Sequence, residues 1–283
     1  MSAQLLVEDL RVRFHTQQRV VEAVRGISFT VGREKVGIVG ESGSGKSMTA
    51  RAILRLSPPQ ARVSAKTLRF QGIDLLASSE RQMLAVRGRR ISMIMQDPKF
   101  ALDPVMRVGD QIAEAIPGER RGSRAEDRER VLAMLDAVQI RNPARVFDLY
   151  PHEVSGGMGQ RIMIAMMLMP EPSLLIADEP TSALDVTVRM RVLAILDELA
   201  AQRDLGLIFI THDLNLVATF CDRVLIMYAG RVVEACAASE LHKATHPYTQ
   251  GLLASIPRIA DGHRRLPVLT PDPAWLEPVG PDR

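Results

Sequence analysis

Two cysteines, Cys221 and Cys236, are all that the 283 residues contain. They build neither a disulfide framework nor a thiolate metal site, and reduced thiols in a cytosolic protein are the simplest reading. Aromatic residues make up only 4% of the chain, which argues against a nucleic-acid surface built on base stacking. A dominant charge is missing as well. The net charge is +3, too little for a polyanion footprint. Arginines cluster at Arg87, Arg89 and Arg90 and at Arg120, Arg121 and Arg124. Such clusters can meet acidic headgroups or nucleic acid, but a solvated face is the simpler account. Long apolar runs are absent too. The longest, Ile162 to Met169, stops at Pro170, far short of the ~20 residues that span a bilayer. The opening residues carry acids and lack the apolar stretch of a signal peptide. Together these absences predict a soluble chain whose link to any membrane runs through a partner.

What is present is alternation of strand and helix. Leu5 to Phe14, Ile27 to Val31 and Lys35 to Val39 read as strands, and Met48 to Leu56 as a helix ended by Ser57-Pro58-Pro59. Thr67 to Phe70, Ile91 to Met95, Leu174 to Ala177 and Leu207 to Ile210 are further strands, with a helix over Val186 to Ala201. Val224 to Tyr228 and Arg231 to Val233 flank a hairpin turn at Ala229-Gly230. From about Asp97 to Gln160 the pattern turns to charged helices such as Ser123 to Val138, which predicts an inserted helical subdomain. Pro267, Pro271, Pro273, Pro278 and Pro281 predict an extended tail over Leu266 to Arg283. The pattern predicts an α/β fold with a mostly parallel sheet.

Three segments carry chemistry. Gly40-Glu41-Ser42-Gly43-Ser44-Gly45-Lys46-Ser47 fits G-x-x-x-x-G-K-S and sits between a strand and a helix. Glycines in such a loop let backbone N–H groups converge on phosphate oxygens, and the following helix offers its positive N-terminus. Lys46 would reach the β- and γ-phosphates, and Ser47 is placed to ligate Mg²⁺. Leu174-Leu175-Ile176-Ala177-Asp178-Glu179 is a buried strand with two acids at its end. Asp178 can complete the Mg²⁺ shell, and Glu179 can orient the attacking water. Ser155-Gly156-Gly157 precedes an apolar helix, either a second anion-binding helix start or an ordinary serine cap.

The phosphate loop, Gln96, Ser155-Gly156-Gly157-Met158-Gly159-Gln160-Arg161, Asp178-Glu179, Ser182-Ala183-Leu184-Asp185 and Thr211-His212-Asp213 occur in one order. In that order they resemble the motifs of ATP-binding cassette (ABC) transporter ATPases, over roughly residues 5 to 256. The resemblance implies a phosphate-loop NTPase (RecA-like) core, an N-terminal antiparallel β part, a helical subdomain at about 97–160 and a C-terminal extension at 257–283. It implies ATP and Mg²⁺ as ligands. Phe14 stands where a ring stacks on adenine, although a strand-core role fits equally. Met48 continues the phosphate-loop contacts. Gln96 stands where the residue touching Mg²⁺ and water is found. Ser155, Gly156 and Gly157 match the signature that grips a γ-phosphate held by another subunit, Asp185 the acid that crosses that interface, and His212 the switch histidine.

Met158 in place of the commoner Gln points to one branch. So do Gln96-Asp97-Pro98, Ala101-Leu102-Asp103-Pro104, Tyr150-Pro151-His152, Met227-Tyr228-Ala229-Gly230 and His246-Pro247-Tyr248-Thr249. These resemble ATPases of oligopeptide, dipeptide and nickel importers. With no cysteine beyond Cys236, an iron–sulfur cluster near the C-terminus is not supported. The resemblance implies a head-to-tail pair with a second, related ATPase subunit. It also implies two transmembrane permease subunits, an extracytoplasmic solute-binding protein met indirectly, and a peripheral place on the cytoplasmic face of the inner membrane. It implies no nucleic acid. The alternatives are a soluble cassette ATPase acting on nucleic acid or ribosomes, which commonly has two cassettes or a coiled-coil insert, and a regulatory partner with little hydrolysis.

Overall fold

A computed structural model describes residues 3–15, 19–96, 101–182, 184–256, 272 and 275. Asp97-Pro98, Ala183 and, Asp272 and Trp275 apart, the proline-rich stretch lie outside the described residues. The chain divides into two compact units, Met1–Ala77 with Ile208–Arg283, and Ser78–Leu207.

The first unit opens with β1 (Leu5–His15), β2 (Val20–Val31), β3 (Lys35–Val39), α1 (Lys46–Ile53), β4 (Ala61–Ser64), β5 (Thr67–Phe70) and β6 (Ile73–Asp74). The second unit holds α2 (Glu80–Leu84), β7 (Ile91–Ile94), α3 (Val108–Glu114), α4 (Arg124–Ala137), α5 (Pro143–Phe147), α6 (Gly156–Leu168), β8 (Leu174–Asp178) and α7 (Val186–Gln202). The chain returns to the first unit through β9 (Gly206–Thr211), followed by α8 (Leu214–Phe220), β10 (Arg223–Tyr228), β11 (Arg231–Ala237) and α9 (Pro247–Ala254).

In the first unit β1 pairs antiparallel with β2, β4 and β5, which gives the expected N-terminal antiparallel part. β2 starts at Val20, earlier than the apolar pattern from Ile27 suggests. Its first half, Val20 to Arg25, has no alternation of apolar and polar side chains, and an ion pair between Arg13 and Glu22 bridges the two strands at 2.5 Å. β3 pairs parallel with β10, and β10 turns through Ala229-Gly230 into antiparallel β11. β3 is buried from Val36 to Val39. A strand with both faces covered reads as a continuous apolar run, and so it appears in the sequence.

In the second unit β7 and β8 pair parallel, with Ile91 opposite Leu174 and Ile94 opposite Ala177. All five residues of β8 are buried. Full burial of Leu174, Leu175 and Ile176 is worth roughly 1.5–3 kcal/mol each. Helices α3 to α6 pack on one another. Gly109 of α3 lies under the Phe147 ring of α5, where a Cβ would come within 2.3 Å of it. α4 begins where the sequence signals it, with Ser123 and Glu126 in a reciprocal cap.

Candidate nucleotide site

The phosphate loop is held from three directions within the first unit. Helix α1 begins at Lys46 itself, with Gly45 in the left-handed region at φ 101°. Gly43 is also left-handed at φ 83°. Gly40 sits against β10: a Cβ there would lie 2.0 Å from the Met227 carbonyl oxygen. Gly45 sits against β2, where a Cβ would meet the Ala23 carbonyl oxygen at 2.5 Å. The Gly230 amide donates to the Ser44 carbonyl at 3.0 Å, tying the hairpin turn to the loop. Thus two glycines serve close backbone approach and two serve positive φ, Gly45 doing both.

Lys46 is nearly buried. Its ammonium donates to the carbonyls of Gly40 and Glu41, each at 2.8 Å, and to Ser44 Oγ at 3.5 Å. The loop therefore curls around the lysine, with Ser44 N donating to Glu41 O at 3.2 Å. Ser42 and Gly43 are exposed, and Ser47 and Met48 are partly exposed. Phe14 is half-buried, paired with Val21 on β2 and Ala61 on β4, and part of its ring stays exposed. His212 follows β9 and is exposed, and Asp213 behind it caps α8 by accepting from the Leu216 amide at 3.1 Å.

The second unit carries the acids. Asp178 ends β8 almost fully buried, and Glu179 follows it half-exposed in the left-handed region at φ 48°. A non-glycine residue there costs of order 1–3 kcal/mol unless its surroundings hold it. Both the amide and the hydroxyl of Ser182 donate to the Glu179 carbonyl, at 3.3 and 3.2 Å. Gln96 lies two residues beyond Ile94, and Glu179 two beyond Ala177. The β7–β8 register therefore brings their side chains together, and Gln96 Nε2 donates to Glu179 Oε2 at 3.3 Å.

Of the two readings the sequence left open for residues 155–157, the structure shows the serine cap. Ser155 is the N-cap of α6, its hydroxyl accepting from the Met158 amide at 3.3 Å, and it is exposed. Gly156 has open space where a Cβ would stand, and at Gly157 a Cβ would lie 2.7 Å from Val188 of α7. Asp185 caps α7 from an exposed position, accepting from the Val188 amide at 3.0 Å. The first turn of α6 thus presents a serine hydroxyl and a helix N-terminus to solvent, the chemistry that receives an anion.

One residue without a role in the sequence reading sits at the loop. The Tyr248 hydroxyl of α9 accepts from the Glu41 amide at 3.1 Å. Its ring is fully buried. Pro247 at the first helical position marks a helix start, but no local pattern says that the next side chain reaches a loop 207 residues away.

Among the described residues, no group of three or more His, Cys, Asp or Glu side chains is arranged to hold a metal ion, and no helix is long and apolar enough to cross a membrane.

Residues 24–182 match the sequence family described as ABC transporter. The chain is 50% identical over 265 residues to the probable peptide ABC transporter ATP-binding protein y4tR of Sinorhizobium fredii, covering 92% of this chain and 79% of that one. It is 46% identical to the dipeptide transport ATP-binding protein DppD of Bacillus subtilis, over 92% of this chain and 78% of the relative. With the oligopeptide transport ATP-binding protein OppD of Salmonella typhimurium it shares 47% identity, over 90% and 76%. Among solved structures, the ATP-binding cassette MJ0796 in a post-hydrolysis state bound to ADP and Pi superposes with a TM-score of 0.71 at 24% identity, covering 83% of this chain and 98% of that one. That likeness is one of fold. CbiO1 of Clostridium perfringens, part of the cbiONQ transporter complex, matches with a TM-score of 0.70 at 26% identity, over 86% and 92%.

Proposed function

This chain belongs to the ABC transporter family as one of its ATP-binding, ATP-hydrolysing subunits, and we propose that it powers uptake of peptides or a related solute such as a nickel chelate. The carrying observation is identity of 46–50% over at least 90% of the chain to ATP-binding proteins named for peptide, dipeptide and oligopeptide transport. The chain holds one copy of each motif, so a complete site needs a second, related ATPase subunit. The pair would act on two permease subunits at the cytoplasmic face of the inner membrane, served by an extracytoplasmic solute-binding protein. Gln96 to Pro104 and the helical subdomain at about 97–160 are the proposed docking region, and 257–283 a C-terminal extension.

Lys46 and the loop amides would hold the β- and γ-phosphates, with Phe14 against the adenine. Lys46 bonds its own loop carbonyls at 2.8 Å, so its ammonium is already directed into the loop before it meets phosphate. The Mg²⁺ donors would be the Ser47 hydroxyl, the Asp178 carboxylate and the Gln96 amide oxygen. This all-oxygen set with one carboxylate suits an ion that keeps waters and binds mainly through phosphate. When bound, Mg²⁺ supplies charge neutralisation on the phosphate oxygens. Glu179 would orient the attacking water, and its bond from Gln96 gives that carboxylate a defined direction. His212 would contact the γ-phosphate. Ser155, Gly156 and Gly157 of the partner subunit's equivalent signature would close the site, with Asp185 crossing the interface. Closure favours one orientation of the permease, and hydrolysis resets it.

Glu179→Gln in the complete transporter tests the catalytic assignment. ATP binding should be retained while turnover falls about 10²–10⁴-fold, the range for a positioned general base. Near-normal ATPase activity would overturn the assignment. Dipeptide uptake into proteoliposomes holding the same transporter tests the substrate class. Uptake of a nickel chelate with uptake of neither dipeptides nor longer peptides would exclude peptides.

A further inference from the structure

The motif His246-Pro247-Tyr248-Thr249 marks a branch of the family but has no place in the mechanism above. Its geometry supplies one. The start of α9 is fixed by β11. Glu234 Oε1 accepts from the Thr245 amide at 2.7 Å and from the His246 amide at 3.3 Å. His246 Nδ1 in turn accepts from the Tyr248 amide at 3.2 Å, and Pro247 occupies the first helical position. These contacts fix the backbone from which the Tyr248 side chain projects. Its ring packs against Tyr228 at 4.6 Å and Trp275 at 5.6 Å between centroids, and Trp275 also meets Tyr228 edge-on at 5.4 Å. Ring pairs at such separations and tilts are favourable.

The hydroxyl at the end of this buried ring accepts the Glu41 amide hydrogen. The Glu41 carbonyl then accepts from Lys46 Nζ at 2.8 Å and from the Ser44 amide at 3.2 Å. Residue 41 therefore stands between α9 on one side and the phosphate-contacting lysine on the other. Tyr228, in the same ring cluster, precedes the turn whose Gly230 amide donates to the Ser44 carbonyl. One aromatic cluster thus supports the loop at both Glu41 and Ser44.

We propose that Tyr248 is a positioning residue for the phosphate loop: its hydroxyl fixes the Glu41 peptide, and through that peptide the place of Lys46 and the width of the loop. It touches no phosphate itself. This rests on the ATP-site reading and deepens it. The proposal separates the two ends of the nucleotide. Misplacing the loop weakens contacts to the β- and γ-phosphates and leaves the base and ribose contacts alone. Losing a general ring-packing role would instead lower stability and leave the relative affinities for ATP and AMP unchanged.

Tyr248→Phe in the full-length chain removes the hydroxyl and keeps the ring. Melting temperature and equilibrium binding of Mg-ATP and AMP are measured for wild type and variant. Fluorescent analogues with the label on the ribose serve for both nucleotides. The expected result is ATP affinity lower by about 5–10-fold, the worth of one hydrogen bond, with AMP affinity changed less than about twofold. Equal losses for ATP and AMP, or no loss for ATP, overturn the proposal. Wild-type chain that fails to bind ATP refutes the nucleotide-site reading itself, which is a separate outcome. A second measurement needs no variant. Native hydrogen exchange should find the Glu41 amide protected well above the adjacent Ser42 and Gly43 amides, and free exchange at Glu41 overturns the proposal even if the variant fails to fold.

Discussion

Replacing Gly45 by alanine separates conformational strain from close approach, because Gly43 provides an internal control. Both glycines have φ far into the positive range, 101° and 83°. Alanine at either site meets the left-handed penalty of roughly 1–2 kcal/mol. Around Gly43 nothing lies within 4 Å of an added Cβ, so that penalty is the whole effect. At Gly45 the new methyl meets the Ala23 carbonyl oxygen at 2.5 Å, and this atom belongs to β2. It must retreat by about 1 Å to reach ordinary contact. Ala23 lies at a shift in the β1–β2 register, between Val24 opposite Val12 and Glu22 opposite Arg13, so its retreat pulls on paired neighbours on both sides. Overpacking of this kind adds typically about 1–3 kcal/mol. Gly43→Ala should thus cost about 1 kcal/mol and Gly45→Ala about 3 kcal/mol. These become falls in melting temperature of roughly 2–4 °C and 6–12 °C for a chain of this size. Calorimetry of the full-length variants without nucleotide measures both and keeps binding effects out of the comparison. Equal melting temperatures for the two variants would refute the steric argument.

Two further outcomes follow from burial near the ends of α8 and α9. Burial raises the Cys221 thiol to about 12, and Cys236, half-exposed, is raised as well. Maleimide at pH 8 should therefore modify Cys236 in the native chain and Cys221 only after urea, with equal native rates as the contrary result. Burial lowers the His246 pKa, with Glu234 opposing, so the folded state prefers the neutral ring that accepts the Tyr248 amide. The unfolded chain then binds more protons below about pH 6.5, and the contribution of His246 is present above that value and lost as the pH falls through the folded pKa. His246→Gln should flatten the stability profile below about pH 6.5, and an unchanged slope would remove the assignment.

Much of the site was legible because its chemistry is local. Gly40 to Ser47 needs a strand, glycines and a helix start in one short stretch, and β3 and α1 supply them. Asp178-Glu179 follows an apolar run that only a strand buried on both faces accounts for. Missing from the pattern were β4, whose Ala61–Ser64 alternates between half-buried and exposed positions after two prolines, and the first half of β2, held by pairing with β1. The alternation of β4 spans only four residues, and Val20 to Arg25 of β2 shows none. The left-handed turn at Glu179 and the reach of Tyr248 to Glu41 were equally hidden. The first is a property of tertiary packing, and the second joins positions near opposite ends of the chain.

The cap at the start of α6 has a chemical consequence for the exposed serine. Ser155 uses a lone pair of its oxygen to accept the Met158 amide. Its proton is left uncommitted by that bond. As a helix cap alone, aspartate or asparagine would serve as well as serine. Aspartate has no proton to offer and carries the same sign as a phosphate. A hydroxyl can close the helix with its oxygen and still face an anion with its hydrogen. At Ser155 the helix start and the proposed anion contact would therefore draw on opposite faces of one atom.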